Sequence, residues 1–257
     1  MKCTRVKKGI SLGMFLALGL LAGCTTSYSV VSVEGGRVPM TDVYDDHVAD
    51  QEVSAILDTY KQGLDSIMSP VIGQAARNLN SYRPESPMSN LMSDLLRRSA
   101  VKVIGKEADI AVMNIGGIRN SFTEGDITFG NVFEISPFEN SFCVLVMDGS
   151  VILELFEQIA AVHGEGLSGA KLEITKEGKL LSATIGGKPI DPEKEYTVAT
   201  IDYLAEGNDK MMAFTKAKSK IFPDNLLLRS LLMDYVKDCY EKGILIDAKV
   251  EGRIVVR

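Results

Sequence analysis

The chain has no tryptophan and only two histidines, His47 and His163, among 257 residues. Without tryptophan, any aromatic platform for a ligand must come from phenylalanine or tyrosine. With two histidines in unrelated contexts, a dinuclear metallophosphatase centre lacks its usual donors. Charge of one sign is also missing: the formal net charge is −6, with no long acidic or basic run. A nucleic-acid backbone requires a basic face, so no nucleic-acid partner is expected, although local basic residues can hold a small anion. Internal repeats and low-complexity tracts are absent. What is present is ordinary for one folded domain with an appendage: 46% apolar and 24% charged residues.

The one appendage is at the start. Lys2, Arg5, Lys7 and Lys8 precede an apolar run from Ile10 to Leu21. This is a secretory signal pattern, and the run is too short for a bilayer span, which needs about 20 residues. It ends in Leu21-Ala22-Gly23-Cys24, small residues before a cysteine, which resembles a bacterial lipobox. The expectation is a signal peptide over 1–23 and a chain lipidated at Cys24, tethered in the cell envelope through lipid rather than a helix. Residues 24–45 then form a tether and a short strand, and 46–257 the folded domain, led by a helix over 46–69. Cys143 sits in an apolar run and Cys239 in a helix-like stretch, and two separate buried thiols fit them better than a disulfide.

Periodicity sets out the domain. Val53, Ile56, Leu57, Tyr60, Leu64 and Ile67 recur at helical spacing within 46–67, and Pro70 stops the helix. A strand begins near Val71. A second helix spans Ser89 to Val103, with Ser89 able to cap it. Strands are expected at 108–113, 141–147, 171–175, 179–185, 196–200 and 253–257. Helices are expected at 128–133, 151–162 and 224–242. Strands and helices mix without strict alternation, so the fold class is α+β, a mixed sheet with packed helices.

Three polar loops, each placed after a buried strand, can carry chemistry. In Asn114-Ile115-Gly116-Gly117-Ile118-Arg119, two glycines let backbone N–H groups approach a ligand and Arg119 can grip a phosphate; a tight turn with a surface arginine reads equally well. In Pro137-Phe138-Glu139-Asn140, Phe138 is either a loop anchor or one jaw of a stacking clamp, and Asn140 can read a base edge. In Asp202 to Asp209, Tyr203 is a core residue or the second jaw, and Asp209 a cap or a ribose acceptor.

Taken together, these loops resemble the C-terminal domain of the 5′-nucleotidase / UDP-sugar hydrolase family. The resemblance runs from about Ile72 to Arg257. It is carried by Arg83-Pro84-Glu85-Ser86 with Ser89-Asn90-Leu91, by 114–119 and 137–140, by Ser168-Gly169, by Tyr196 to Thr200 and by 203–209. It implies a substrate-specificity pocket in which Phe138 and Tyr203 sandwich a base. Asn114 and Asn140 would contact the base, Arg119 the phosphate and Asp209 the ribose, with Gly116, Gly117 and Gly169 along the wall. The chain departs from the family's Gly-Gly-Asp-Gly turn with Gly207-Asn208-Asp209-Lys210; Asn208 can supply a left-handed residue there, while Lys210 stands where a glycine is usual.

The family's metal-bearing motifs are not found, so no cofactor and no catalytic residue are expected in this chain. His163 fits a helix C-terminus, and His47 with Asp45 and Asp46 a helix start. The implied function is the nucleoside- or nucleotide-binding half of a split system, with divalent metals on a separate exported metallophosphoesterase. The alternatives are a lipoprotein of the same fold serving another ligand or a protein interface, and a self-sufficient hydrolase.

Overall fold

The structure, a computed structural model, describes residues 29–37 and 51–257. The chain divides into two units at the boundary between Asp50 and Gln51. The signal segment, Cys24, Asp45, Asp46 and His47 lie outside the described residues. In the first unit, residues 29–37 are exposed and form no strand, against the short strand expected there; alternating valines alone do not make a strand stable.

The second unit begins with α1 (Gln51–Met68), β1 (Val71–Ala75), α2 (Pro87–Ser99), a short α3 (Val101–Ile104) and β2 (Ile110–Met113). It continues with β3 (Gly125–Thr128), α4 (Phe129–Ile135), β4 (Phe142–Asp148), α5 (Gly149–Ala161), β5 (Gly166–Ser168), β6 (Ala170–Ile174), β7 (Leu180–Ile185) and β8 (Lys188–Pro189). It closes with β9 (Glu195–Ile201), α6 (Asp202–Ala205), β10 (Ser219–Ile221), α7 (Leu228–Glu241) and β11 (Ile254–Val256). No helix among the described residues is long and apolar enough to cross a membrane.

A five-stranded mixed sheet in the order β10-β4-β9-β2-β5 forms the centre. β2 runs parallel to β9, whereas β4 and β5 run antiparallel to their neighbours. Every residue of β2 is buried, as a central strand covered on both faces requires. α2 covers β2, β5 and β9, and α7 packs against α2 and β1. Phe142, Phe156, Leu96 and Met113 are among the fully buried side chains, each contributing about 1.5–3 kcal/mol of burial. Cys143 and Cys239 are both buried and free, and burial, reinforced by the Asp202 charge, pushes the Cys143 thiol up to about 12.

Local chemistry sets the helix starts. α2 is capped by Ser86, not Ser89: the Ser86 hydroxyl accepts the Ser89 N–H and Ser89 Oγ accepts the Ser86 N–H in return. Pro87 at the first helical position favours this earlier start. α7 starts at Leu228 rather than at Asp224, because Leu228 N–H is taken by the Asn140 carbonyl. In α1 the periodic residues do share a face, yet Val53, Ile56, Leu57, Tyr60, Leu64 and Ile67 are all exposed. Spacing tells which side chains lie together, not what covers them.

The C-terminal strand is fastened by a polar clasp. Arg253 is buried and bidentate to Asp94 at 2.8 and 2.9 Å, with further bonds to Glu251 and the Leu167 carbonyl. Both Glu85 oxygens accept N–H groups, from Asn90, Glu251 and Arg253.

Candidate functional site

Strand direction brings the three loops together. β2 and β9 run the same way, so the segments that leave them, 114–119 and 202–209, emerge at one end of the sheet. The second loop does not follow a strand. It follows α4 and enters β4, whose first residue pairs with Ile201, the last of β9. Because β4 is antiparallel, its beginning lies at that same end.

A cavity of about 410 Å³ opens there, lined by Asn114, Gly116, Gly117, Arg119, Phe138, Asn140, Tyr203 and Asp209. Its size suits a drug-sized ligand. Gly169, the remaining expected wall residue, is elsewhere. It follows the last residue of β5, opposite the start of β2, and so lies at the far end of the sheet, in a separate cavity with Arg97, Arg98 and Lys171.

The Gly-rich loop leaves β2 at Asn114 and makes one turn of 3₁₀ helix over Ile115–Gly117. A side chain on Gly117 would approach Asn114 Oδ1 to 2.7 Å, so glycine there leaves room for the Asn114 amide. Asn114 Nδ2 donates to Asp209 Oδ2 at 2.7 Å, and the Tyr203 hydroxyl donates to Asp209 Oδ1 at 2.9 Å. That second bond raises the Tyr203 phenol above its usual value. Asn114 Oδ1 is buried against Gly117, with no hydrogen-bond donor among the described residues. Arg119 is exposed, and its guanidinium bonds only the Gly116 carbonyl, at 3.2 Å, among the described residues.

The two rings are surface features. Phe138 is 47% and Tyr203 39% exposed, too open for core residues of their size. Tyr203 sits in α6 rather than in a loop. The turn that follows Tyr203 takes its left-handed residues at Gly207 (φ 89°), Asp209 (φ 52°) and Lys210 (φ 67°), not at Asn208. Asn208 instead donates its amide to the Tyr203 carbonyl at 2.9 Å.

Sequence reasoning missed three supporting residues. Arg229 donates to the Pro137 carbonyl at 3.1 Å and stacks over Phe133 at 4.2 Å, bracing the Phe138 loop from α7. Glu165 and Arg83 brace the Gly-rich loop from behind. Arg229 and Glu165 belong to segments with no motif of their own, and only the fold shows what they touch. His163 ends the turn after α5 with φ 63°, and its Nε2 lies 3.1 Å from the Lys176 carbonyl. No cluster of three metal-binding side chains occurs among the described residues. The lining offers two stacking surfaces, two amides, one cation and one carboxylate, which is the chemistry of recognition.

The fold is thus an α+β domain with a candidate ligand cavity at one end of a mixed sheet. The chain belongs to the 5′-nucleotidase C-terminal domain family, whose model matches residues 70–216. It is similar to the cell wall protein Lmo0130 of Listeria monocytogenes, at 29% identity over 80% of this chain and 29% of that protein. Protein UshA of Escherichia coli is 37% identical over 40% of this chain and 19% of its own length. Among solved structures, a 5′-nucleotidase precursor from Thermus thermophilus superposes with a TM-score of 0.69 at 27% identity, over 80% of this chain and 43% of that one. The chain therefore spans less than half the length of each of these relatives.

Proposed function

We propose that this chain binds a nucleoside or nucleotide in the cavity at the sheet end. The observation that carries the reading is the pair of half-exposed rings, Phe138 and Tyr203, lining one ligand-sized cavity together with two amides, a carboxylate and an exposed arginine. A heterocycle stacks on such rings for about 1–3 kcal/mol per base. The Asn114 and Asn140 amides contact the base, Asp209 accepts from ribose hydroxyls, and Arg119 pairs with phosphate. The family and its relatives, a 5′-nucleotidase precursor among them, favour a nucleotide over other aromatic ligands.

In this reading the chain supplies recognition to a separate exported metallophosphoesterase. The signal pattern and Cys24 place it in the cell envelope on a lipid anchor, and the cell-wall description of the Listeria relative favours export. Labelled fatty acid should enter the chain and should not enter a Cys24→Ala variant. Calorimetric titration of the purified protein with adenosine, AMP and UDP-glucose tests the ligand. Saturable binding of at least one is expected; no heat with any of the three contradicts the reading. Addition of the chain should raise AMP hydrolysis by the metallophosphoesterase, and an unchanged rate rejects the partnership.

A further inference from the structure

Glu165 belongs to the same sheet end but not to the cavity lining. It precedes β5, whose first residue, Gly166, pairs with Met113 at the point where β2 runs out into the Gly-rich loop. The Glu165 side chain is 1% exposed. One of its oxygens accepts the Ile115 backbone N–H and the other the Arg83 guanidinium. Arg83 also donates through Nε to the Gly164 carbonyl at 2.8 Å. Gly164, at φ +111°, lies so close to the Pro84 backbone that no side chain fits between them. Arg83, Pro84, Gly164 and Glu165 are thus one block, and the Ile115 N–H is fastened to it.

A buried carboxylate is an expensive acceptor for one backbone N–H, and a neutral carbonyl would satisfy the same donor. What matters for the loop is a fixed acceptor oxygen at the residue next to Asn114, and the Arg83 guanidinium is what lets that acceptor be a carboxylate. From Asn114 the chain of bonds continues through Asp209 to the Tyr203 hydroxyl. Burial pushes the Glu165 carboxyl up, the Ile115 and Arg83 bonds oppose this, and the nearby Asp209 charge adds to the rise.

We infer that Glu165, held by Arg83, is a positioning residue for ligand recognition: by fixing the Ile115 N–H it sets the Asn114 amide and, through Asp209, the Tyr203 ring. The inference rests on the nucleoside reading above, and adenosine is the probe. Glu165→Leu should weaken adenosine binding by about tenfold, the order expected for a lost charge-assisted bond. The double variant Arg83→Met with Glu165→Gln keeps an oxygen for Ile115 and removes the unpaired guanidinium. It should bind within about threefold of the parent, a rescue that lies well inside that tenfold effect. Amide correlation spectra should show the Asn114 side-chain signals displaced in Glu165→Leu and restored in the double variant. Parent-like binding by Glu165→Leu, or a double variant as weak as Glu165→Leu, overturns the inference. If Glu165→Leu does not fold, binding by the double variant decides: near-parental affinity supports the inference and a tenfold loss overturns it. If the parent itself does not bind adenosine, the ligand reading has failed. The Asn114 signals then decide alone, and unchanged signals in Glu165→Leu overturn the positioning role.

Discussion

Two polar clusters of the domain, the C-terminal clasp and the loop end of the central sheet, are built differently. In the C-terminal clasp every guanidinium nitrogen of Arg253 has an acceptor and both Glu85 oxygens are filled; its one open atom is Asn90 Oδ1. At the loop end, the exposed Arg119 guanidinium bonds only the Gly116 carbonyl among the described residues, and two rings stand half in solvent. Charged groups that hold a fold are closed on themselves, because an unpaired buried charge is costly. Groups that await a ligand are left incomplete, and that incompleteness is the functional signal.

The contrast is open to attack by mutation. Arg253→Met removes the clasp's centre and leaves Asp94 and Glu251 without their partner; a loss of about 3–5 kcal/mol is expected in denaturant unfolding, and a loss below about 1 kcal/mol would deny the clasp its role. Phe138→Ala and Tyr203→Ala should each cost about 1–3 kcal/mol of adenosine binding, yet shift unfolding by no more than about 0.5 kcal/mol, the usual surface range. Large unfolding losses in these two variants would make the rings structural and erase the distinction between the clusters.

Acid sharpens the comparison within the clasp. Burial raises the Asp94 carboxyl, but the Arg253 and Ser168 bonds and the Arg253 charge more than reverse this, leaving it below its ordinary value of 3.8. A lowered carboxylate gives stability that is present above the unfolded value and is lost as pH falls through the folded one. Thermal unfolding of the parent should therefore lose more stability below pH 3.8 than that of Asp94→Asn, and parallel acid limbs would contradict this. The smallest expected effect lies in the turn beside the cavity. Lys210 holds a left-handed φ of 67°, so Lys210→Gly should stabilise by about 0.5 kcal/mol, the relief of strain less the entropy gained by the unfolded chain.

The mixed α+β class, most elements and the three loops were legible because apolar periodicity and Gly, Pro and Asn turns report local conformation. Their convergence was not legible from spacing, since it depends on β4 running antiparallel to β9. Gly169 was misplaced for a related reason: it is near Glu165 in sequence, but β5 carries it to the other end of the sheet. Ser86 was overlooked as the α2 cap because Ser86 and Ser89 form a reciprocal pair in which either could be the cap. Glu165 and Arg229 are charged residues whose partners are distant in sequence, and nothing local marks them; Arg83 stands in a matching segment, but that segment does not show that it holds Glu165.

A crystal structure of the full chain with adenosine tests the recognition claim most directly. The heterocycle should lie between Phe138 and Tyr203, with the Asn114 and Asn140 amides contacting the base and Asp209 facing the ribose. Adenosine bound elsewhere, or this cavity left empty at saturating ligand, would contradict the account.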